Sequence, residues 1–105
     1  MLMAMLVLLG QVSAATPDLA TVRGWFESSE HERVSAVALT DTSDPALVYL
    51  VARSFERLER PNDTRGAYAR LDARPETDPW HHIGRSALLL SESRQTDAID
   101  AASSP

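Results

Sequence analysis

Residues Thr77 to Leu90 read TDPWHHIGRSALLL, and the reading of this stretch decides the fold. Asp78-Pro79 is a helix start. The Asp side chain accepts from an orphan backbone N–H, and Pro tolerates the first helical position because its missing N–H would have had no partner. Behind that start come Trp80, Ile83, Gly84, Ala87, Leu88 and Leu90, most of them three or four residues apart. Such spacing gathers side chains on one helix face. Gly84 lies within that face. Gly in a helix costs roughly 0.8–1 kcal/mol against Ala, so Gly84 predicts a notch where another helix approaches closely. His81 and His82 are helix neighbours and point about 100° apart. They do not converge on one ion as an i,i+4 pair does. The stretch therefore reads as a packing seam rather than a metal or catalytic centre.

The same punctuation recurs along the chain, at Thr16-Pro17-Asp18, Ser43-Asp44-Pro45, Pro61-Asn62-Asp63 and Ser103-Ser104-Pro105. Ser29-x-x-Glu32 adds a capping-box signature, in which Ser and Glu would each satisfy an orphan N–H. Between the marks, apolar residues at helical spacing predict helices over 18–28, 30–39, 45–59, 63–73, 79–90 and 94–102, with a turn at 91–95. No segment alternates apolar and polar residues, so strands are not expected. Short connections make neighbouring helices antiparallel. The expected fold is all-α: three antiparallel helical hairpins, preceded by a hydrophobic N-terminal segment. Glu56 and Arg60 stand at i,i+4 and read as a solvated helix pair.

The first fifteen residues differ from the rest. MLMAMLVLLG carries no charge, and QVSAA follows it. That is the pattern of a signal-peptide core with a small-residue cleavage site, at Val12 and Ala14 or Ser13 and Ala15. The apolar run is shorter than the roughly 20 residues that span a bilayer. Export is expected, with residues 1–15 removed and a periplasmic or secreted domain over 16–105. The alternatives are an uncleaved, membrane-tethered chain, or a cytoplasmic one in which the segment is a core helix. Membrane contact is expected only if the segment stays.

Ten basic and fifteen acidic residues give a net charge of −5. This argues against a nucleic-acid binder, which needs a basic face to neutralise phosphates. All basic residues are Arg, which keeps its charge and pairs bidentately with carboxylates. The chain has no Cys, which removes disulfides, thiolate zinc sites and a Cys nucleophile. No Ser lies in a nucleophile elbow, and no Gly-rich loop cradles a phosphate. Nothing assembles a nucleophile, base and oxyanion site, so no enzyme and no cofactor are expected.

A further pattern appears at a shift of 34 residues, which relates Asp44-Pro45 to Asp78-Pro79 and also Arg60 to Arg94, Asp63 to Asp97 and Ala67 to Ala101. Trp80, Ile83 and Gly84 fit W-x2-L-G, with Ala87 where an aromatic is usual. Val48, Val51, Ala52 and Phe55 hold the same spacing one unit earlier. Thr64 and Tyr68 then match small-x3-aromatic, with Pro75 near the unit's end. Leu19, Val22, Phe26, Ser35 and Leu39 sketch a first unit. In these residues the chain resembles the tetratricopeptide repeat family. The resemblance implies a short right-handed superhelix of stacked hairpins that binds a peptide or protein on its concave face. Carried over by position, that face would hold Leu47, Val51 and Ser54, with His81, Arg85 and Leu88 from the next hairpin. Arg85 would contact a partner's carboxylate through its fork of donors. The final apolar face lacks a polar capping element, so either the sequence is a piece of a longer repeat protein or that face is covered by a partner or a second copy of the chain. The alternative reading is a small helical periplasmic protein that binds a metal or ligand through His81 and His82.

Overall fold

Asp residues start three of the helices. The computed structural model describes residues 17–103, with side chains through Arg94. The expected signal peptide, 1–15, lies outside the described residues. Among them are five helices and no strand: α1 (Leu19–Glu27), α2 (His31–Ser35), α3 (Pro45–Arg57), α4 (Pro61–Asp72) and α5 (Pro79–Ser103). No described helix is long and apolar enough to cross a membrane. Asp18 opens α1 by accepting the Thr21 N–H at 2.8 Å. Asp44 opens α3 by accepting the Ala46 N–H at 2.9 Å. Asp78 opens α5 twice over: one carboxylate oxygen accepts the Trp80 N–H at 2.9 Å, and the other takes Arg74 Nε at 2.7 Å.

These bonds favour the ionised carboxylates. The Thr21 hydrogen bonds hold the Asp18 carboxyl below its usual range. The Trp80 N–H, then the Arg74 guanidinium, do the same at Asp78. A depressed folded-state pKa contributes stability that is complete above the unfolded value, near pH 4, and is lost as pH falls through the folded value. Thermal melts should therefore drop on acidification below about pH 4. Asp78→Asn, which keeps an accepting oxygen but does not titrate, should show a shallower drop there.

α3 is the central helix and packs on two sides. Val48 and Ala52 meet Ala67, Tyr68 and Leu71 of α4, with Trp80, Ala87 and Leu88 of α5 closing over that cluster. Leu47 and Val51 turn the other way and meet Val22 of α1 and Val34 of α2. Leu39 and Phe55 touch both clusters. The seam between α4 and α5 is Gly84. A Cβ there would lie 2.6 Å from the Asp72 nitrogen, 2.7 Å from Leu71 Cβ and 2.8 Å from the Tyr68 carbonyl oxygen. The notch expected at Gly84 is present, and its far wall is the α4 backbone.

Three local expectations are corrected. Ser29 does not form a capping box. It sits at φ 61° just past the end of α1, and the Glu30 N–H reaches back to the Trp25 carbonyl at 2.9 Å. Glu59 repeats this past α3, at φ 56°, with the Arg60 N–H on the Phe55 carbonyl at 3.0 Å. These are Schellman turns, and their 6→1 bonds satisfy carbonyls that the ending helix leaves open. The second helix is shorter than expected: it stops at Ser35, whose hydroxyl donates to the Glu32 carbonyl and competes with the ladder. Val37 and Leu39 then reach the core from irregular backbone. The largest difference concerns the sixth helix. The turn expected at 91–95 is absent, and α5 runs unbroken for 25 residues. Ser-Glu-Ser-Arg-Gln contains neither Gly nor Pro, and Glu, Arg and Gln are good helix formers. The third hairpin is thus replaced by one long helix.

The left-handed conformation costs a non-Gly residue about 1–2 kcal/mol. Ser29→Gly, at an exposed position, should raise stability by up to about 1 kcal/mol in chemical denaturation, the gain limited by the entropy Gly recovers in the unfolded chain.

Candidate functional site

The faces of α3 and α5 decide what a ligand can reach. Leu47, Val51 and Ser54 were expected on an open concave face. They are buried instead, because α1 and α2 cover that side of α3. The Ser54 hydroxyl lies 3.3 Å from His31 Nδ1, so its polar atom is matched within the core.

On α5 the expected residues turn toward α4. His81 is buried, with Nδ1 2.8 Å from the Asp72 carbonyl oxygen and 3.9 Å from its carboxylate. Arg85 donates from Nε to the Asp72 carboxylate at 2.8 Å. The chain itself supplies the carboxylate that Arg85 was expected to find on a partner. Leu88 packs half-buried against the α3–α4 cluster. His82 points elsewhere and meets the Glu76 carbonyl at 2.8 Å. No group of three metal-ligating side chains occurs among the described residues.

An open surface lies on the neighbouring face of α5. A groove of ≈ 830 Å³ runs between α3, the start of α4 and α5. Its floor is apolar and aromatic: Tyr49 from α3, Tyr68 from α4, and Ile83, Ala87 and Leu90 from α5. Its rim is charged, with Arg53, Glu56, Glu59, Arg60 and Arg94. The large hydrophobic side chains most exposed among the described residues are Ile83, Leu89 and Leu90, at 39%, 55% and 54%. Ile83 and Leu90 both line the groove.

The floor is held in place by contacts behind it. Tyr49 is tilted against Trp80, ring centroids 5.9 Å apart, and against Tyr68 at 6.4 Å. The Tyr68 hydroxyl donates to the Glu56 carboxylate. Burial, and then that bond to an anion, push the Tyr68 pKa far upward, so the phenol keeps its proton. Glu56 also lies 3.9 Å from Arg53 Nε. It is thereby drawn away from the i,i+4 pairing with Arg60, which instead bonds Asp63 at 2.8 Å. Arg60 also lies over the Phe55 ring, 5.1 Å from its centroid. The groove thus offers tightly neighboured rings, exposed aliphatic side chains and a rim of three Arg and two Glu. That set can hold an amphipathic segment.

Tyr49, Arg53 and the groove role of Leu90 were not anticipated. One signal was available: Leu88-Leu89-Leu90 on a helix spreads over about 200°, so one packed face cannot hold all three. No family model, curated protein or solved structure matches this chain.

Proposed function

We propose that this chain is a non-enzymatic interaction module of tetratricopeptide type, exported to the periplasm or secreted, which captures a helical segment of a protein partner. The observation that carries the reading is the groove: an apolar floor of Tyr49, Ile83, Ala87 and Leu90 left open beneath an Arg-rich rim. Amphipathic helices dock in such grooves through apolar anchors at i, i+3, i+4 and i+7. The rim favours a segment with carboxylates beside those anchors.

Two features support the family resemblance. The same three-residue connection, with a left-handed central residue, joins α1 to α2 and α3 to α4. The small residue of the W-x2-L-G match, Gly84, sits where α5 meets the α4 backbone with no room for a Cβ. The binding surface proposed here is the Ile83–Leu90 face, not the His81–Arg85–Leu88 face that position alone suggests. Export rests on the sequence of residues 1–15.

The test is selection of peptides from a displayed library on the wild-type chain, with counter-selection on Ile83→Glu. Ile83 is partly exposed, so the variant should retain its helical spectrum. Enriched peptides should bind the wild type and lose at least about tenfold on the variant, the effect of removing an interface anchor. Magnetic resonance shifts should fall on Tyr49, Tyr68 and Leu90. Peptides that bind both proteins equally, or that shift none of these residues, would sink the reading.

A further inference from the structure

We infer that Glu59 is a specificity-determining residue of the groove, and that the helical segment captured there carries a basic side chain, Lys or Arg, at the end that lies over Glu59. The inference rests on the proposal above, that the groove captures an amphipathic helix, and it names a charge that helix must bring.

The first argument is which charges of the rim remain open. Most of the acidic, basic and His side chains that line the groove have partners within the chain. Arg53 and the Tyr68 hydroxyl share the Glu56 carboxylate. Arg60 bonds Asp63 at 2.8 Å and lies over the Phe55 ring. His82 Nε2 lies 2.8 Å from the Glu76 carbonyl oxygen. Among the described residues, Glu59 and Arg94 line the groove with no side-chain partner of their own. Both are exposed.

In water the Glu59 carboxylate is solvated, so its effect falls on whatever docks over it. A helix that covered it with an apolar side chain would strip that water without replacing it. Lys or Arg at that point supplies a partner, and an acid there is repelled. Arg94 is the group left to meet the carboxylate that the rim favours.

The second argument is placement. Tyr49 and Trp80 meet near the starts of α3 and α5, with ring centroids 5.9 Å apart. Glu59 follows Tyr49 by ten residues and Arg94 follows Trp80 by fourteen, so the two open charges lie toward the other end of the groove. Ile83, Ala87, Leu90 and Arg94 succeed one another at spacings of four, three and four, on one face of α5. A helix whose apolar anchors follow that floor therefore brings one charged end to Glu59 and Arg94 together.

The third argument is the turn that carries Glu59. It is the left-handed residue, at φ 56°, of the three-residue connection between α3 and α4. The Arg60 N–H on the Phe55 carbonyl, at 3.0 Å, closes that turn. The backbone at Glu59 is thus held beside the groove, and pairing costs mainly side-chain freedom. Gly would hold the same turn at lower cost. Ser29 occupies the matching turn after α1 but does not line the groove, so strain alone marks no site. What distinguishes Glu59 is an open carboxylate at the groove.

The probe is a set of helical peptides with Leu at i, i+3, i+4 and i+7 and with Lys, Gln or Glu at one flanking position at a time. Each is titrated against the full chain, Glu59→Gly and Glu59→Lys. At one position the Lys form should bind the wild type about two- to fivefold tighter than the Gln form, the size of an exposed ion pair. Raised salt should shrink that margin. Glu59→Gly should abolish it, and Glu59→Lys should reverse it in favour of the Glu form. Glu59→Gly relaxes the left-handed turn, so it should melt no lower than the wild type, and unfolding cannot account for the lost preference. Ser29→Gly, the same kind of change at the other turn, should keep the margin. Peptides that bind with no Lys preference at any position, or a preference that survives Glu59→Gly, overturn the inference and leave the groove reading standing. A set in which no peptide binds overturns it too, and the groove reading then falls only if the library selection on the wild type fails as well.

Discussion

Gly84→Ala should lower the stability of the folded chain by about 2 kcal/mol, with a melting temperature roughly 8–16 °C lower in calorimetry. On helix propensity alone the substitution would gain nearly 1 kcal/mol, so the expected loss has the opposite sign to the local preference. The reason is what the new methyl would meet. Two of its three contacts, at 2.6 and 2.8 Å, are the Asp72 nitrogen and the Tyr68 carbonyl oxygen, both backbone atoms of α4. The third, at 2.7 Å, is Leu71 Cβ, which follows the backbone rigidly. None can swing aside as the end of a flexible side chain could. α5 must instead move outward by about an ångström, opening its seam with α4 and loosening Trp80 and Leu88 from the core cluster. Gly66→Ala is the control. Gly66 lies in α4 with nothing within 4 Å of a built Cβ, so that change should stabilise by about 0.5–1 kcal/mol. Equal shifts of the same sign at the two positions would show that no seam exists at Gly84. The groove depends on the same seam, because Ile83 and Ala87 flank the notch.

The boundary signals were legible because each is a local chemical rule. Asp before Pro at 44 and 78, and the Asp18 of the Thr16-Pro17-Asp18 mark, all act as caps in the structure. Gly84 was legible for a related reason, since a costly residue inside an apolar face must be compensated by close packing. The misread positions are those where two local rules compete. Ser29 fits a capping box, but the same residue can end the preceding helix in a left-handed turn, and the ending wins. At 91–95 five polar residues look like a loop, yet their intrinsic preference is helical, and no Gly or Pro overrides it. The site was less legible than the fold. Which face of α5 stays open depends on where α3 and α4 lie, and that is set by non-local packing. His81, Arg85 and Leu88 fit a family's binding pattern by position. Asp72, thirteen residues before Arg85 and on another helix, captures the first two. Leu47, Val51 and Ser54 are enclosed for the same cause: the covering surface comes from α1 and α2, and no spacing within α3 reveals it.

Leu71→Ala should be the more damaging of the two core changes, at about 2–5 kcal/mol. Leu71 is fully buried at 0% exposure and is among the largest side chains so enclosed. It belongs to the cluster that joins α3 to α4, and it also forms a wall of the Gly84 notch. Truncation leaves a cavity that the Cβ contact at Gly84 holds open, since α5 already touches the α4 backbone and cannot collapse further. A domain of this size has roughly 5–15 kcal/mol of stability in all, so the variant should lose roughly a third of the wild-type denaturant midpoint. The two substitutions also test each other. Leu71→Ala keeps its own Cβ, the very atom that Gly84→Ala strikes, so the truncation offers no relief to the clash. The double variant should therefore be at least as unstable as the sum of the singles, where neighbouring residues often depart from additivity. A double variant more stable than Gly84→Ala alone would mean that the α4–α5 distance is set by side-chain volume at Leu71 and not by contact with the α4 backbone.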